Sequence, residues 1–201
     1  GNDQMSAKDL LKLIKDEDVA YVDIRFTDPR GKLQHVTVIE SEVDEDFLEE
    51  GFMFDGSSIA GWKSIEASDM KLMLDTDTAY VDPFYAEKTI CVHCSVVEPD
   101  TGEAYERDPR GTAQKAEAYL KASGIGDVAY MGPEAEFFLF DNVKFSNSIN
   151  KVSYEVDASD ASWNTDTDYE MGNMGHRPGL KGGYFPVNPT DVPQDLRAEM
   201  L

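Results

Sequence analysis

Basic side chains are scarce in this sequence: 18 lysines and arginines stand against 40 aspartates and glutamates, for a formal net charge of −22. That balance excludes sequence-independent nucleic-acid binding, which needs Lys and Arg to neutralise phosphates. It also excludes docking on anionic membranes. No apolar run is long enough to span a bilayer and no secretory signal opens the chain, so a cytoplasmic location is expected. Cysteine is nearly absent. The only two, Cys91 and Cys94, have a C-x-x-C spacing, but no second pair completes a zinc site. Positions three apart on a strand face opposite sides, so both read as strand residues. The acid excess is spread along the chain and forms no tail. It reads either as a hydrated surface suited to high salt or as ordinary acidity.

What is present is a folding composition. Hydrophobic residues make up 41% of 201 positions and aromatics 10%, enough for one large domain or two small ones with real cores. Ser6 and Asp9 frame a capping box before Leu10, Leu11 and Ile14, predicting a helix over 7–16. Strands are predicted over 19–26 and 32–39. Between them, Asp28-Pro29-Arg30-Gly31 has the residues a type I turn wants, making a hairpin. A short acidic helix over 44–50 stops at Gly51. Residues 53–62 read as a glycine- and serine-rich loop, with two further strands over 70–74 and 89–97. Glu98-Pro99-Asp100-Thr101-Gly102 is the expected domain boundary, dividing 1–103 from 104–201. Asp108-Pro109 opens a helix whose buried stripe would be Ala113, Ala116, Tyr119 and Leu120, with Gly124 ending it. Residues 172–183 read as loop, and 147–168 carry no usable motif. Asp191 is expected to cap a last helix, with Gln194 closing a capping box. Its apolar stripe, Leu196 and Met200, stops at Leu201 with no C-cap, the pattern of a chain cut inside an element.

One stretch carries chemistry. Gly132-Pro133-Glu134-Ala135-Glu136 leads into the apolar run Phe137 to Phe140. On a strand, Glu134 and Glu136 would share a face, roughly 7 Å apart. Like charges beside aromatics are costly to bury unless a cation lies among them. A hard divalent ion such as Mg²⁺ or Mn²⁺ would suit the oxygen ligands. The plainer alternative is a strand mouth whose glutamates reach solvent.

Four segments taken together resemble bacterial-type (type I) glutamine synthetases. They are M-F-D-G-S-S (Met53–Ser58, with Gly61-Trp62 and Ser68-Asp69 after it), R-D-P-R (Arg107–Arg110), G-P-E-A-E-F-F-L-F (Gly132–Phe140) and G-H-R-P-G-L-K-G-G-Y-F-P-V (Gly175–Val187). Their order and spacing match over the whole chain, which corresponds to about the first two-fifths of a family member.

The resemblance implies an α+β protein: a small β-grasp-like N-terminal domain followed by the start of a catalytic α+β domain. It implies an ATP-dependent ligase that joins ammonia to the γ-carboxylate of L-glutamate through a γ-glutamyl phosphate. Mg²⁺ or Mn²⁺, two or more per site, would serve a homo-oligomer, a dodecamer in the family, with sites between subunits. Carried across by motif, Glu134 would hold the metal on the ATP phosphates and Glu136 the metal nearer glutamate. Asp55 would bind ammonium and accept its proton, with Ser58 and Tyr184 in the same pocket. Asp69 would latch a mobile flap. Read singly, Asp55 is a turn residue and Tyr184 a packing residue. Trp62 reads as a hydrophobic anchor, and His176 is assigned no metal.

The family's remaining metal ligands and substrate arginines lie beyond Leu201, so this polypeptide by itself is expected to be inactive. Two rivals stand: a ligase using an amine or polyamine in place of ammonia, and a non-catalytic acidic module on the same fold.

Overall fold

The computed structural model describes residues 4–59, 61, 68–164 and 177–201. Trp62 and His176 therefore lie outside the described residues. The chain forms two compact units, residues 1–131 and 132–201.

The first unit begins with helix α1 (Ala7–Asp16). Ser6 Oγ accepts from the Asp9 amide while Asp9 answers at the Ser6 amide, the predicted capping box. Helix α1 turns Leu10 and Ile14 inward, and both are buried. Strands β1 (Tyr21–Thr27) and β2 (Leu33–Ile39) pair antiparallel. Their turn closes with Gly31 N–H donating to Asp28 C=O at 3.0 Å, while Asp28 Oδ1 accepts from the amides of Arg30 and Lys32. Helix α2 (Glu45–Glu50) is capped by Asp44 and stopped by Gly51 at φ +81°.

The segment read as a loop from Met53 begins instead as strand β3 (Phe52–Asp55), followed by a 3-10 turn over Gly56–Ser58. Its alternation, Phe52 and Phe54 inward against Met53 and Asp55 outward, is a strand pattern too short to stand out beside the glycine and serines that follow. Strands β4 (Asp69–Leu74), β5 (Tyr80–Val81) and β6 (Thr89–Val97) complete the sheet. The order is β2-β1-β6-β4-β3, with β5 also on β6. The β1–β6 pair is parallel and the others are antiparallel.

Strand parity divides the residues. Val22, Ile24, Phe26, Met70, Leu72, Ile90, Val92, Cys94 and Val96 join Leu10, Ile14 and Leu48 in one core. The opposite face carries the intervening residues. Cys94 belongs to the core, whereas Cys91 approaches Asp82, so the two free thiols point to opposite faces. Burial pushes the Cys91 thiol up to about 11 and the Cys94 thiol higher still. Neither is a reactive thiolate at neutral pH.

Helix α3 (Pro109–Ser123) starts at Asp108 and ends at Gly124, which is left-handed at φ +70°. Its expected stripe is not buried. Ala113, Ala116 and Tyr119 are exposed and Leu120 is half-buried, with Gly111 the buried contact. The helix meets its sheet through its N-terminal end, where Arg110 and Gln114 both donate to Ser95 Oγ.

The second unit holds a hairpin, β7 (Asn142–Ser148) and β8 (Lys151–Asp157), and helix α4 (Gln194–Met200). The hairpin overlaps the stretch in which no motif was read. The alternation of Val152, Tyr154 and Val156 was its available signal. Asp191 does not cap α4. The N-cap is Pro193, with no side-chain bond, and the Asp191 carboxylate instead pairs with the Arg197 guanidinium through two hydrogen bonds. A charge-assisted bidentate pair is stronger than a neutral cap, which is why the carboxylate turns that way.

Candidate functional site

Asp55, Ser58 and Asp69 stand in the first unit, and Glu134, Glu136 and Tyr184 in the second. In the first unit, β3 and β4 pair so that Met53 faces Lys71 and Asp55 faces Asp69 across the ladder. Residues directly opposite on antiparallel strands share a face, so both carboxylates project from the outer side of the sheet, and both are exposed.

Asp55 Oδ1 accepts from Ser57 N–H at 2.9 Å and from Ser57 Oγ at 2.7 Å, and the chain then turns through Gly56–Ser58. Bonds from the Ser57 side chain, then its amide, then the Ser68 side chain hold the Asp55 carboxyl below its ordinary value. It is therefore ionised at neutral pH, as a group that binds a small cation must be. Ser58 is exposed beside it. Gly56 is buried, and its N–H donates to Ser68 C=O at 2.6 Å. That bond ties the Asp55 turn to the start of β4.

The outer face also holds a polar network that motif reading did not find. Asp23 is 1% exposed. It accepts from Arg25 Nε at 2.8 Å and Thr37 Oγ1 at 2.7 Å, with His35 Nδ1 2.6 Å away. Arg25 also donates to the hydroxyls of Tyr80 and Tyr85 and pairs with Asp82 at 3.5 Å. Burial pushes the Asp23 carboxyl upward, but the donors from Arg25, Thr37 and His35 outweigh it and leave the group lowered. The alternation of Asp23 and Arg25 with buried Val22, Ile24 and Phe26 was the only sequence signal for it.

In the second unit, Glu134 and Glu136 are not on a paired strand. Residues 132–140 carry no ladder hydrogen bonds, because no strand among the described residues lies alongside to exchange them. Every position from 131 to 140 is exposed. The alternation expected of the segment survives further along, where the rings of Phe138 and Phe140 stack at 6.0 Å with 11° between planes. Among the described residues, neither glutamate is engaged in an ion pair or hydrogen bond. Glu136 lies on the wall of a groove of about 690 Å³ with Phe138, Trp163, Gly179–Gly183, Leu196 and Arg197. Tyr184 follows that wall and is 85% exposed, its ring edge-on to Phe185 at 4.4 Å. Among the described residues, no three His, Cys, Asp or Glu side chains gather closely enough to hold a metal ion. Two hard oxygen donors suit Mg²⁺ or Mn²⁺ in kind but are too few to enclose one.

The sequence matches the glutamine synthetase β-grasp domain over residues 18–99 and the glutamine synthetase catalytic domain over residues 106–201. The chain belongs to the glutamine synthetase family. It is 74% identical over 193 residues to a glutamine synthetase of Cereibacter sphaeroides, covering 96% of this chain and 41% of that protein. It is 72% identical over 198 residues to one of Rhodobacter capsulatus, covering 98% and 45%. The chain thus spans less than half the length of these relatives. In fold it resembles a Plasmodium falciparum glutamine synthetase solved by cryo-electron microscopy. The TM-score is 0.78 at 23% identity, over 97% of this chain and 39% of that one. Bacterial-type family membership, the β-grasp N-terminal domain and the α+β class all agree with the four motif segments. Among the described residues, no helix is long and apolar enough to cross a membrane.

Proposed function

We propose that this glutamine synthetase chain supplies the ammonium-binding turn and two metal-binding carboxylates of a cytoplasmic ATP-dependent glutamate–ammonia ligase. The observation that carries the reading is the Asp55 turn. Its ionised carboxylate is held by Ser57 on the exposed face of the sheet, where a small cation can reach it. Ammonium needs such a partner, because the reacting species is free ammonia and a base must take its proton. Ser58 and Tyr184 are further ammonium-binding residues, and Asp69 latches the flap. Glu134 and Glu136 hold the metals, one on the ATP phosphates and one nearer glutamate. Bound there, Mg²⁺ or Mn²⁺ neutralises charge during phosphoryl transfer. The active site forms between subunits of a homo-oligomer, a dodecamer in this family. The domain boundary falls between 103 and 104, a placement supported by the gap between the two family matches at 99 and 106.

The test is calorimetry with Mn²⁺ on the full-length protein. Glu136→Gln is expected to weaken binding at one site at least tenfold. Equal titrations for parent and variant would sink the metal assignment and favour a non-catalytic module. Comparing ammonia with alkylamines as substrates decides between this ligase and an amine ligase.

A further inference from the structure

The R-D-P-R motif has no task in the site described above, yet its first arginine reaches the Asp55 loop. Arg107 Nη1 donates to Gly61 C=O at 2.8 Å, across 46 residues of sequence. We infer that Arg107 is a positioning residue for the ammonium-binding turn, an inference that rests on the ligase reading.

The geometry makes Arg107 a fixed post. Val96 C=O accepts from Tyr105 N–H at 2.9 Å, and Tyr105 C=O accepts from Asp108 N–H at 3.0 Å. Asp108 is 1% exposed. Its Oδ2 accepts from Val96 N–H at 3.0 Å and its Oδ1 from Arg110 N–H at 3.1 Å. Arg110 in turn pairs with Asp75 at 2.5 Å and donates to Ser95 Oγ at 3.2 Å. The residues on either side of Arg107 are therefore strapped to the end of β6, and the arginine extends from a rigid base.

The loop it reaches is secured near its entry by the bond from Gly56 N–H to Ser68 C=O. It closes locally through Ile59 N–H on Gly56 C=O at 3.1 Å. Beyond Ile59, the bond to Arg107 is the one that ties Gly61 to another element among the described residues. Gly61 adopts φ +85°, and a Cβ there would lie 3.9 Å from Pro29 Cγ, so this point of the loop sits beside the β1–β2 turn. Only glycine takes that backbone without strain. Arg107 is exposed, so its bond competes with water and biases the loop by roughly two- to tenfold. That range is enough to set how often the Asp55 turn is presented in one geometry, and too small to decide whether the domain folds.

The test pairs hydrogen–deuterium exchange with steady-state kinetics on the full-length protein, for Arg107→Gln and Arg107→Lys. In Arg107→Gln, exchange over the amides of Gly56–Ile59 is expected to rise about threefold or more, with β1 and β6 unchanged. KM for ammonium should rise roughly three- to tenfold with kcat within about twofold, and Arg107→Lys should restore most of both. Unchanged exchange at Gly56–Ile59 would overturn the proposal whatever the reaction is. So would faster exchange spread through β1 and β6, or an ammonium KM equal to the parent's. An absence of ammonia-dependent activity in the parent protein would overturn the ligase reading instead, a result the exchange arm does not depend on.

Discussion

Asp55 and Asp69 stand directly opposite each other on β3 and β4, two carboxylates on one face of an antiparallel pair. Like charges in that position repel. Ser57 offsets the repulsion at Asp55 with an amide and a hydroxyl. The turn residue and the latch residue thus share a single ladder position. Removing the charge at Asp69 should make Asp55 easier to ionise. In Asp69→Asn, the Asp55 carboxyl is expected to titrate lower than in the parent chain. Carbon-detected NMR titration of the side chain reads this directly, and an unchanged or higher midpoint would contradict it.

Gly56 follows Asp55 and is buried against β4. A Cβ there would lie 2.3 Å from Met70 Sδ and 2.9 Å from Ser68 C=O. The methionine can yield but the backbone oxygen cannot. Gly56→Ala is expected to cost about 1–3 kcal/mol, measured by urea denaturation, and to displace the Asp55 turn. A variant as stable as the parent would show that the strand edge gives way freely.

Asp23 makes stability depend on pH. Its folded-state value is lowered despite burial, because Arg25, Thr37 and His35 all stabilise the ionised form. A lowered carboxyl stabilises the fold above its unfolded value of about 3.9, and that contribution is lost as pH falls through the folded value. Asp23→Asn leaves the Arg25 guanidinium without its nearest carboxylate, and is expected to cost about 2–4 kcal/mol at pH 7. The gap between parent and variant should narrow as pH drops below about 3.9. Thermal melts at pH 7, 5 and 3 test this. A gap that stays constant or widens in acid would refute it.

The 201-residue chain holds fewer than three clustered metal ligands among its described residues. Purified alone with Mn²⁺, ATP, glutamate and ammonium, it is expected to make no glutamine. It should also fail to transfer a γ-glutamyl group to hydroxylamine. Activity in either assay above that of an Asp55→Asn, Glu136→Gln double variant would refute the prediction.

The elements legible in the sequence are those whose signal is local. Ser6 with Asp9, the Asp28–Gly31 turn, the Gly51 and Gly124 stops and the Asp108 cap each act within a few residues, so spacing alone reveals them. Misreadings arose where a local signal lost to a distant partner or lacked one. Asp191 prefers Arg197 to a cap. Ala113, Ala116 and Tyr119 have helical periodicity but no described surface to cover them. Glu134 to Phe140 has strand composition without a strand beside it among the described residues.

What the residues determined unaided was the mix of helices and strands in the first hundred positions, the acid excess, the opposite-facing cysteines and the motif set that marks the family. Tertiary structure alone decided that Asp55 meets Asp69, that Asp23 is buried among three donors, and that Arg107 holds Gly61. Each of these joins residues whose approach depends on strand register and sheet order. Those are set by the burial of one whole face, and no single stretch of chain encodes them.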